Sequence, residues 1–187
     1  NGGDTRVVIT LDIPQDALTN MGRKDIVNKD TAKYRTNKAI VLKIEDEKGN
    51  QYTSAKSFLN HKYTPFTYTV GETLIIEDYD LSEKVCSSGI HFFLNKHVAE
   101  LYEIEHLENG ILETWHENGQ KFIECSYTDG KLDGLYQVWH DNCQKWKECT
   151  YKNGKLDGLY QQWHENGQKF IERNFKDGKE DGIYQSW

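Results

Sequence analysis

From Gly110 onward the chain alternates short aromatic or aliphatic stretches with small polar turns, and the alternation repeats. Trp115, Trp139, Trp163 and Trp187 recur every 24 residues. Aligned on these tryptophans, the units read GILETWHENGQKFIECSYTDGKLD (110–133), GLYQVWHDNCQKWKECTYKNGKLD (134–157) and GLYQQWHENGQKFIERNFKDGKED (158–181), followed by GIYQSW (182–187). A fixed period in this range marks stacked supersecondary units, each burying against its neighbours what it cannot bury alone. No stretch between turns reaches the ~12 residues that a marginal helix needs. Asn118-Gly119, Asn166-Gly167, Asp129-Gly130, Asn153-Gly154 and Asp177-Gly178 are dipeptides that tolerate the positive φ of tight hairpins. The pattern predicts an all-β repeat domain over residues 106–187, an elongated antiparallel sheet of successive β-hairpins. It holds three full units from about 110 and a truncated fourth. Cys143 replaces the glycine of its sister turns, which strains that turn if the backbone keeps the same conformation.

Strand alternation puts Leu135, Gln137 and Trp139 on one side and Tyr136, Val138 and His140 on the other. Equivalent positions in successive units lie two strands apart, about 9.5 Å at a spacing of ~4.8 Å. His116, His140 and His164 are then too far apart to share a metal through bonds of about 2.0–2.1 Å, and are expected to form a structural or solvent-facing ladder. Cys125 and Cys149 exceed the Cα separation of about 4.4–6.8 Å that a disulfide tolerates, and are expected free. The aromatic rows, Trp115, Tyr136, Trp139, Tyr160, Trp163, Tyr184 and Trp187, are the candidate binding surface, although stacked aromatics also hold a thin sheet together. The acidic residues around the GKLDG turns read as a solvated rim, since no EF-hand loop is present.

Before about Leu101 the 24-residue echo is absent. Arg6 to Ile13 ends at Pro14 and reads as a strand; Lys38 to Ile44 runs into a turn at Glu47-Lys48-Gly49-Asn50 and reads as another. Phe66 to Val70, Thr73 to Ile76 and Ile90 to Leu94 give further short strands. Asn95 caps a helix whose apolar positions Val98, Leu101 and Tyr102 keep helical spacing to near His106. Residues 1–105 are therefore expected to form an α+β domain, with a mostly β fold as the alternative, and with Phe92 and Phe93 in its core.

Only 36% of residues are hydrophobic and 28% are charged, which fits a folded, surface-rich protein. The net charge of −7 opposes long-range attraction to nucleic acid and disfavours a membrane surface. Residues 101–187 carry most of it, with 10 basic and 16 acidic side chains. No apolar run approaches the roughly 20 residues of a membrane span, and Asn1–Asp4 shows no signal-peptide pattern. The four cysteines form no CxxC pair and are expected to be reduced. Cys86 and His91 are close enough in sequence to suggest a thiolate nucleophile, and with His97 a metal set. Ser87-Ser88-Gly89 between them reads as a turn and the spacings fit no zinc pattern, so an interior histidine and a buried thiol are preferred. No GxSxG, GxGxxG or P-loop occurs. No catalytic residue, metal or cofactor is expected.

The unit GxY…W…NGQ…Y.(D/N)GKxDG, over about residues 110–187, resembles the MORN-repeat variant of YwqK-like bacterial proteins and of giant-virus proteins. The resemblance implies a sheet of successive hairpins and a protein-interaction, scaffolding or membrane-associated role. LDIPQDA (11–17), KYRTNKAIVL (33–42), FTYTVGE (66–72) and CSSGIHFFLNKHVAELY (86–102) resemble an uncharacterised, GIHFF-type domain found in bacterial, phage and giant-virus proteins. Tyr34 stands where many relatives have cysteine, which argues against thiol chemistry there. The combination resembles a mimivirus-type MORN-repeat protein. It implies a noncatalytic scaffold, a structural or accessory virion component, located in the virion or in the cytoplasm of the infected host. The expected partner is a protein, including a second copy or other virion proteins.

Overall fold

Residues 5–57 and 66–187 are described by a computed structural model, and two units emerge. One comprises Asn1–Lys24 and Lys33–Glu100, the other Asp25–Ala32 and Leu101–Trp187. Asn1–Asp4, on which the signal-peptide expectation falls, lie outside the described residues.

The first unit contains β1 (Val7–Asp12), β2 (Lys33–Thr36), β3 (Lys38–Asp46), β4 (Ser54–Lys56), β5 (Thr67–Thr69), β6 (Thr73–Ile75), β7 (Ile90–Phe93) and most of α1 (Lys96–Leu101). β1, β3 and β6 form an antiparallel sheet in the order β1-β3-β6, while β2 pairs with β7 and β4 with β5. Alternation along β3 buries Ala39 and Val41; a register shift past the exposed Leu42 then resets the phase, so that Ile44 also points inward. These three, with Tyr68, Ile76 and Ile90, are the core. Asn95 caps α1 by accepting the backbone N–H of His97 at 2.9 Å. The helix ends at Leu101, short of His106, and Glu103 beyond it has φ of 60°. α1 is the only helix among the described residues, so the α+β expectation is corrected to a mostly β unit. Phe92 and Phe93 are half-buried beside the fully buried Ile90.

A charged residue organises the rest of this unit. Arg35 on β2 is fully buried, and its guanidinium donates to the carbonyls of Lys84 (2.7 Å), Asp80 (3.1 Å), Ser88 (2.5 Å) and Ser82 (3.0 Å). Tyr79 faces it with its ring centroid 5.0 Å away. A buried cation survives only when its donors are satisfied, and here the carbonyls of one loop, residues 80–88, satisfy them.

The second unit is one antiparallel sheet in which every strand pairs with its sequence neighbours: β8 (Gly110–Trp115), β9 (Lys121–Thr128), β10 (Lys131–Trp139), β11 (Lys145–Lys152), β12 (Lys155–Trp163), β13 (Lys169–Lys176) and β14 (Lys179–Ser186). The predicted hairpin ladder is present, with seven strands among the described residues. Asp129-Gly130, Asn153-Gly154 and Asp177-Gly178 each have two consecutive positive φ values, the conformation of two-residue hairpin turns whose twist matches the strands.

The recurring polar residues of the repeat tie each unit to the next. Along one edge, Gly154 N–H donates to Leu132 O and Gly178 N–H to Leu156 O, both at 2.8 Å. Beside them Asp133 accepts from Asn153 N–H at 3.1 Å, and Asp157 from Asp177 N–H at 3.4 Å. Glu108 and Asn109 play the same parts for Gly130 and Asp129, so the pattern of ties begins two residues ahead of Gly110. Along the other edge, Asn118 Nδ2 donates to Asp141 O (3.1 Å) and Asn142 Nδ2 to Glu165 O (2.9 Å).

The first turn of that second edge has a cap from far away in the sequence. Val27 and Asn28 donate their backbone N–H groups to Asn118 O at 2.8 and 3.2 Å. Thr31 Oγ1 donates to Gly119 O at 2.6 Å. In the later turns the equivalent place is taken by the preceding unit's glutamine: Cys143 Sγ lies 2.9 Å from Gln120 Oε1, and a Cβ on Gly167 would meet Gln144 Oε1 at 2.8 Å. Asp25–Ala32 thus supplies to the first unit what a preceding repeat supplies to the others, the role of a capping repeat.

Candidate functional site

Directly paired residues on adjacent strands share a sheet face. Consecutive pairings Leu112–Cys125–Tyr136–Cys149–Tyr160–Arg173–Tyr184 therefore draw one row across one face. A second row on that face runs Thr114–Ile123–Val138–Lys147–Gln162–Ile171–Ser186. The opposite face carries the row Glu113–Glu124–Gln137–Glu148–Gln161–Glu172–Gln185. Trp115, Trp139 and Trp163 pair with Lys121, Lys145 and Lys169 on that opposite face. The candidate aromatic residues are thus two separate ladders, with Tyr136, Tyr160 and Tyr184 on one side and the tryptophans on the other.

On the tryptophan face the charges neutralise one another locally. Lys121 bridges Glu113 and Glu124, Lys145 pairs with Glu148, and Lys169 lies 2.7 Å from Glu172. Gln137 and Gln161 donate to Glu148 and Glu172, each at 2.7 Å. The hydrogen bond from Lys145 holds the Glu148 carboxyl below the usual carboxylate range, against the opposing effect of burial. Trp163 stands between the ammonium groups of Lys145 and Lys169, each 5.8 Å from its ring centroid. Lys169 is also 5.8 Å from the ring of Trp187. Trp115 packs against the cluster built on Leu101, Leu112 and Cys125.

The tyrosine face is built by large side chains beside small ones. Cys125 and Cys149 are buried in the row with Tyr136 and Tyr160, and Tyr136 meets Tyr151 edge-on at 5.7 Å, as Tyr160 meets Phe175 at 5.8 Å. Burial pushes the Cys125 thiol up to about 11 and Tyr151 up to about 12, so both remain protonated and unreactive near neutrality. Lys147 Nζ sits over two rings, 5.0 Å from Tyr136 and 5.4 Å from Tyr160. Arg173 lies over Tyr184 at 4.8 Å and pairs with Glu180 at 2.6 Å, while its buried Nε has no hydrogen-bond partner.

The histidines are placed by a register shift in each hairpin. The shifts at Trp115, Trp139 and Trp163 leave Phe122, Trp146 and Phe170 as extra residues. Their rings lie 4.6, 5.8 and 4.5 Å from His116, His140 and His164. Nε2 of His116 and of His140 reaches the carbonyl of the next unit's tryptophan, Trp139 at 2.9 Å and Trp163 at 3.4 Å. The bond requires that this nitrogen carry the proton, which commits it to holding units together. Among the described residues no three His, Cys, Asp or Glu side chains converge as a metal set. No helix among them is long and apolar enough to cross a membrane.

In the first unit, Cys86 and His91 are exposed rather than interior, and His91 Nε2 is 2.7 Å from Val85 O. Sequence reasoning missed Lys147 and Arg173 on the tyrosine face. Their signal was in the alignment of units, where they replace Ile123 and Cys125. It also missed the cap at Asp25–Ala32, whose residues share no sequence with the repeat.

Comparison with known families gives two results. Residues 3–99 match the model described as Family of unknown function (DUF5758), and residues 108–129 and 156–177 match the MORN repeat variant. The segment between those two matches holds Cys143, Trp146 and Lys147, three departures from its sister units. Neither the curated proteins nor the solved structures yield a match.

Proposed function

From the premise that this chain belongs to the DUF5758 family, with MORN-variant repeats following that domain, we propose a noncatalytic protein-interaction or scaffold role whose docking surface is the repeat sheet. Neither is a known enzyme family. One observation carries the reading: recurring polar residues are engaged within the sheet, the histidine, turn asparagine and turn aspartate tying unit to unit and the lysine and glutamate pairing inside each unit, while the aromatic rows recur on the sheet's two outward faces. Such an arrangement offers a periodic surface for a partner. The finer proposal is a structural or accessory component of a giant virus, in the virion or the infected host's cytoplasm; it rests on the resemblance of the sequence. The partner is a protein, a second copy included.

Crosslinking of the full chain, followed by identification of what copurifies, tests the role. A partner lost on deleting residues 108–187, with the β content of the first unit retained, supports it; a partner kept after that deletion rejects it. Loss of an assayed activity in Cys86→Ser would instead establish the enzymatic alternative. Binding to anionic vesicles that depends on the aromatic rows would establish a membrane-associated one.

A further inference from the structure

We propose that the tyrosine face, from Tyr136 to Tyr184, docks an acidic, aliphatic-bearing segment of a partner protein, of the same chemical type as this chain's own Leu101–Glu108. The proposal rests on the interaction role above and adds which face is used and what it recognises.

The near end of this face already shows what fits it. Leu101, Leu112 and Cys125 form one buried cluster, and Ile104 and Leu107, spaced three apart from Leu101, pack against it together with Ile123, Tyr127, Leu132 and Tyr136 of this face and with Trp115. Between and after them the covering stretch carries Glu103, Glu105 and Glu108. The face continues beyond Tyr136 through Tyr160 and Tyr184 in the same row, with Tyr151 and Phe175 beside it, and Tyr184 is 57% exposed. At the positions of Ile123 and Cys125 in the covered part, the second unit has Lys147 and Cys149 and the third has Ile171 and Arg173, so each later unit adds one cation.

These two cations set the partner's charge. The second unit is acidic, yet the rows of this face from Tyr136 onward hold Lys147 and Arg173. Among the described residues, Lys147 has tyrosine rings on both sides and no carboxylate within salt-bridge reach. Arg173 has one carboxylate, Glu180, and an Nε without an acceptor. A segment whose aliphatic side chains lie on the tyrosines and whose carboxylates meet Lys147 and Arg173 satisfies both features. The tryptophan face lacks this vacancy, because its lysines are already paired with glutamates.

The probe is a synthetic peptide with the sequence of residues 99–109, AELYEIEHLEN, added to the isotope-labelled full chain and followed by amide chemical shifts. Saturable shifts at Lys147, Tyr160, Arg173 and Tyr184 are expected, weakened about tenfold by Lys147→Glu and by about 0.5 M salt. Lys169→Gln on the tryptophan face leaves them unchanged. A peptide with Glu103, Glu105 and Glu108 replaced by lysine binds Lys147→Glu better than the parent chain. The proposal is overturned by shifts insensitive to Lys147→Glu, by shifts confined to Leu112 and Cys125 (exchange with the chain's own cover), or by no binding. Lys147-dependent binding to phosphatidylserine vesicles without peptide binding overturns it in favour of lipid. Failure of the peptide alongside a partner that still requires residues 108–187 removes this inference and leaves the interaction role standing.

Discussion

His116 reaches from one repeat into the next: its Nε2 lies 2.9 Å from the carbonyl oxygen of Trp139, while its ring packs 4.6 Å from Phe122 in its own unit. One side chain thus fixes the local bulge and the stacking of neighbours. His116→Ala is expected to destabilise the sheet by about 1–2 kcal/mol, the sum of one net hydrogen bond and one aromatic contact. Urea unfolding monitored by tryptophan fluorescence measures this. A loss near zero would show that the tie contributes nothing.

Cys143 occupies, at φ 70°, the place that Gly119 and Gly167 hold at φ 85° and 80°. A side chain there costs about 1 kcal/mol relative to glycine. Cys143→Gly is therefore expected to raise the unfolding free energy by about that amount, even with loss of the contact to Gln120. An unchanged or lower midpoint in denaturant contradicts the strain.

Gly119 predicts the opposite sign. A Cβ there would overlap the carbonyl oxygen of Asn28 and sit 2.8 Å from the nitrogen of Ala32. Both are backbone atoms and cannot swing aside. Gly119→Ala should cost about 1–3 kcal/mol in backbone conformation and also lift the cap. Faster hydrogen exchange at the amides of Val27 and Asn28 would report the lift; protection as in the parent chain would refute the cap.

The four thiols divide into two pairs. Cys86 and Cys143 are exposed, while Cys125 and Cys149 are buried, with Cys125 raised to about 11 by burial. Alkylation at neutral pH is expected to modify Cys86 and Cys143 first and to reach Cys125 and Cys149 only on unfolding. Peptide mapping after brief labelling gives the order; early modification of Cys149 would contradict the packing beneath the tyrosines.

Asp80 couples the first unit to acid. Its carboxyl is lowered to about 2, chiefly by the hydrogen bond from Ser87 and then by those from Ser82. A depressed folded value means that the contribution is present above the unfolded value of about 3.9 and is lost as pH falls toward 2. The stability difference between the parent chain and Asp80→Asn should therefore be full at pH 6 and shrink between about pH 4 and pH 2. A difference independent of pH would assign the effect to shape rather than charge.

The repeat sheet was legible because each unit restates its own turns: Asp129-Gly130, Asn153-Gly154 and Asp177-Gly178 can be read three times over, and all adopt the hairpin conformation they suggest. The separation of tyrosines from tryptophans followed from strand alternation, and Cys143 at positive φ followed from its alignment with glycine. The first unit is less legible. β2 was not anticipated because Lys33, Tyr34, Arg35 and Thr36 lack alternation; all four are buried, and Arg35 is held by carbonyls more than 40 residues away. The apolar spacing of the helix runs on past its end at Leu101, because Ile104 and Leu107 keep that spacing while packing against the Leu101–Leu112–Cys125 cluster. The cap at Asp25–Ala32 left no trace because it acts mainly through backbone groups.

The interaction role is tested most directly by a photo-crosslinking amino acid placed in the full chain at Tyr160 on the tyrosine face and, separately, at Gln161 on the opposite one. Adducts to a protein segment rich in glutamate and leucine or isoleucine from position 160, with few from 161, are expected. Equal yields from both positions, or adducts only from a crosslinker in the first unit at the exposed Leu42, would contradict it.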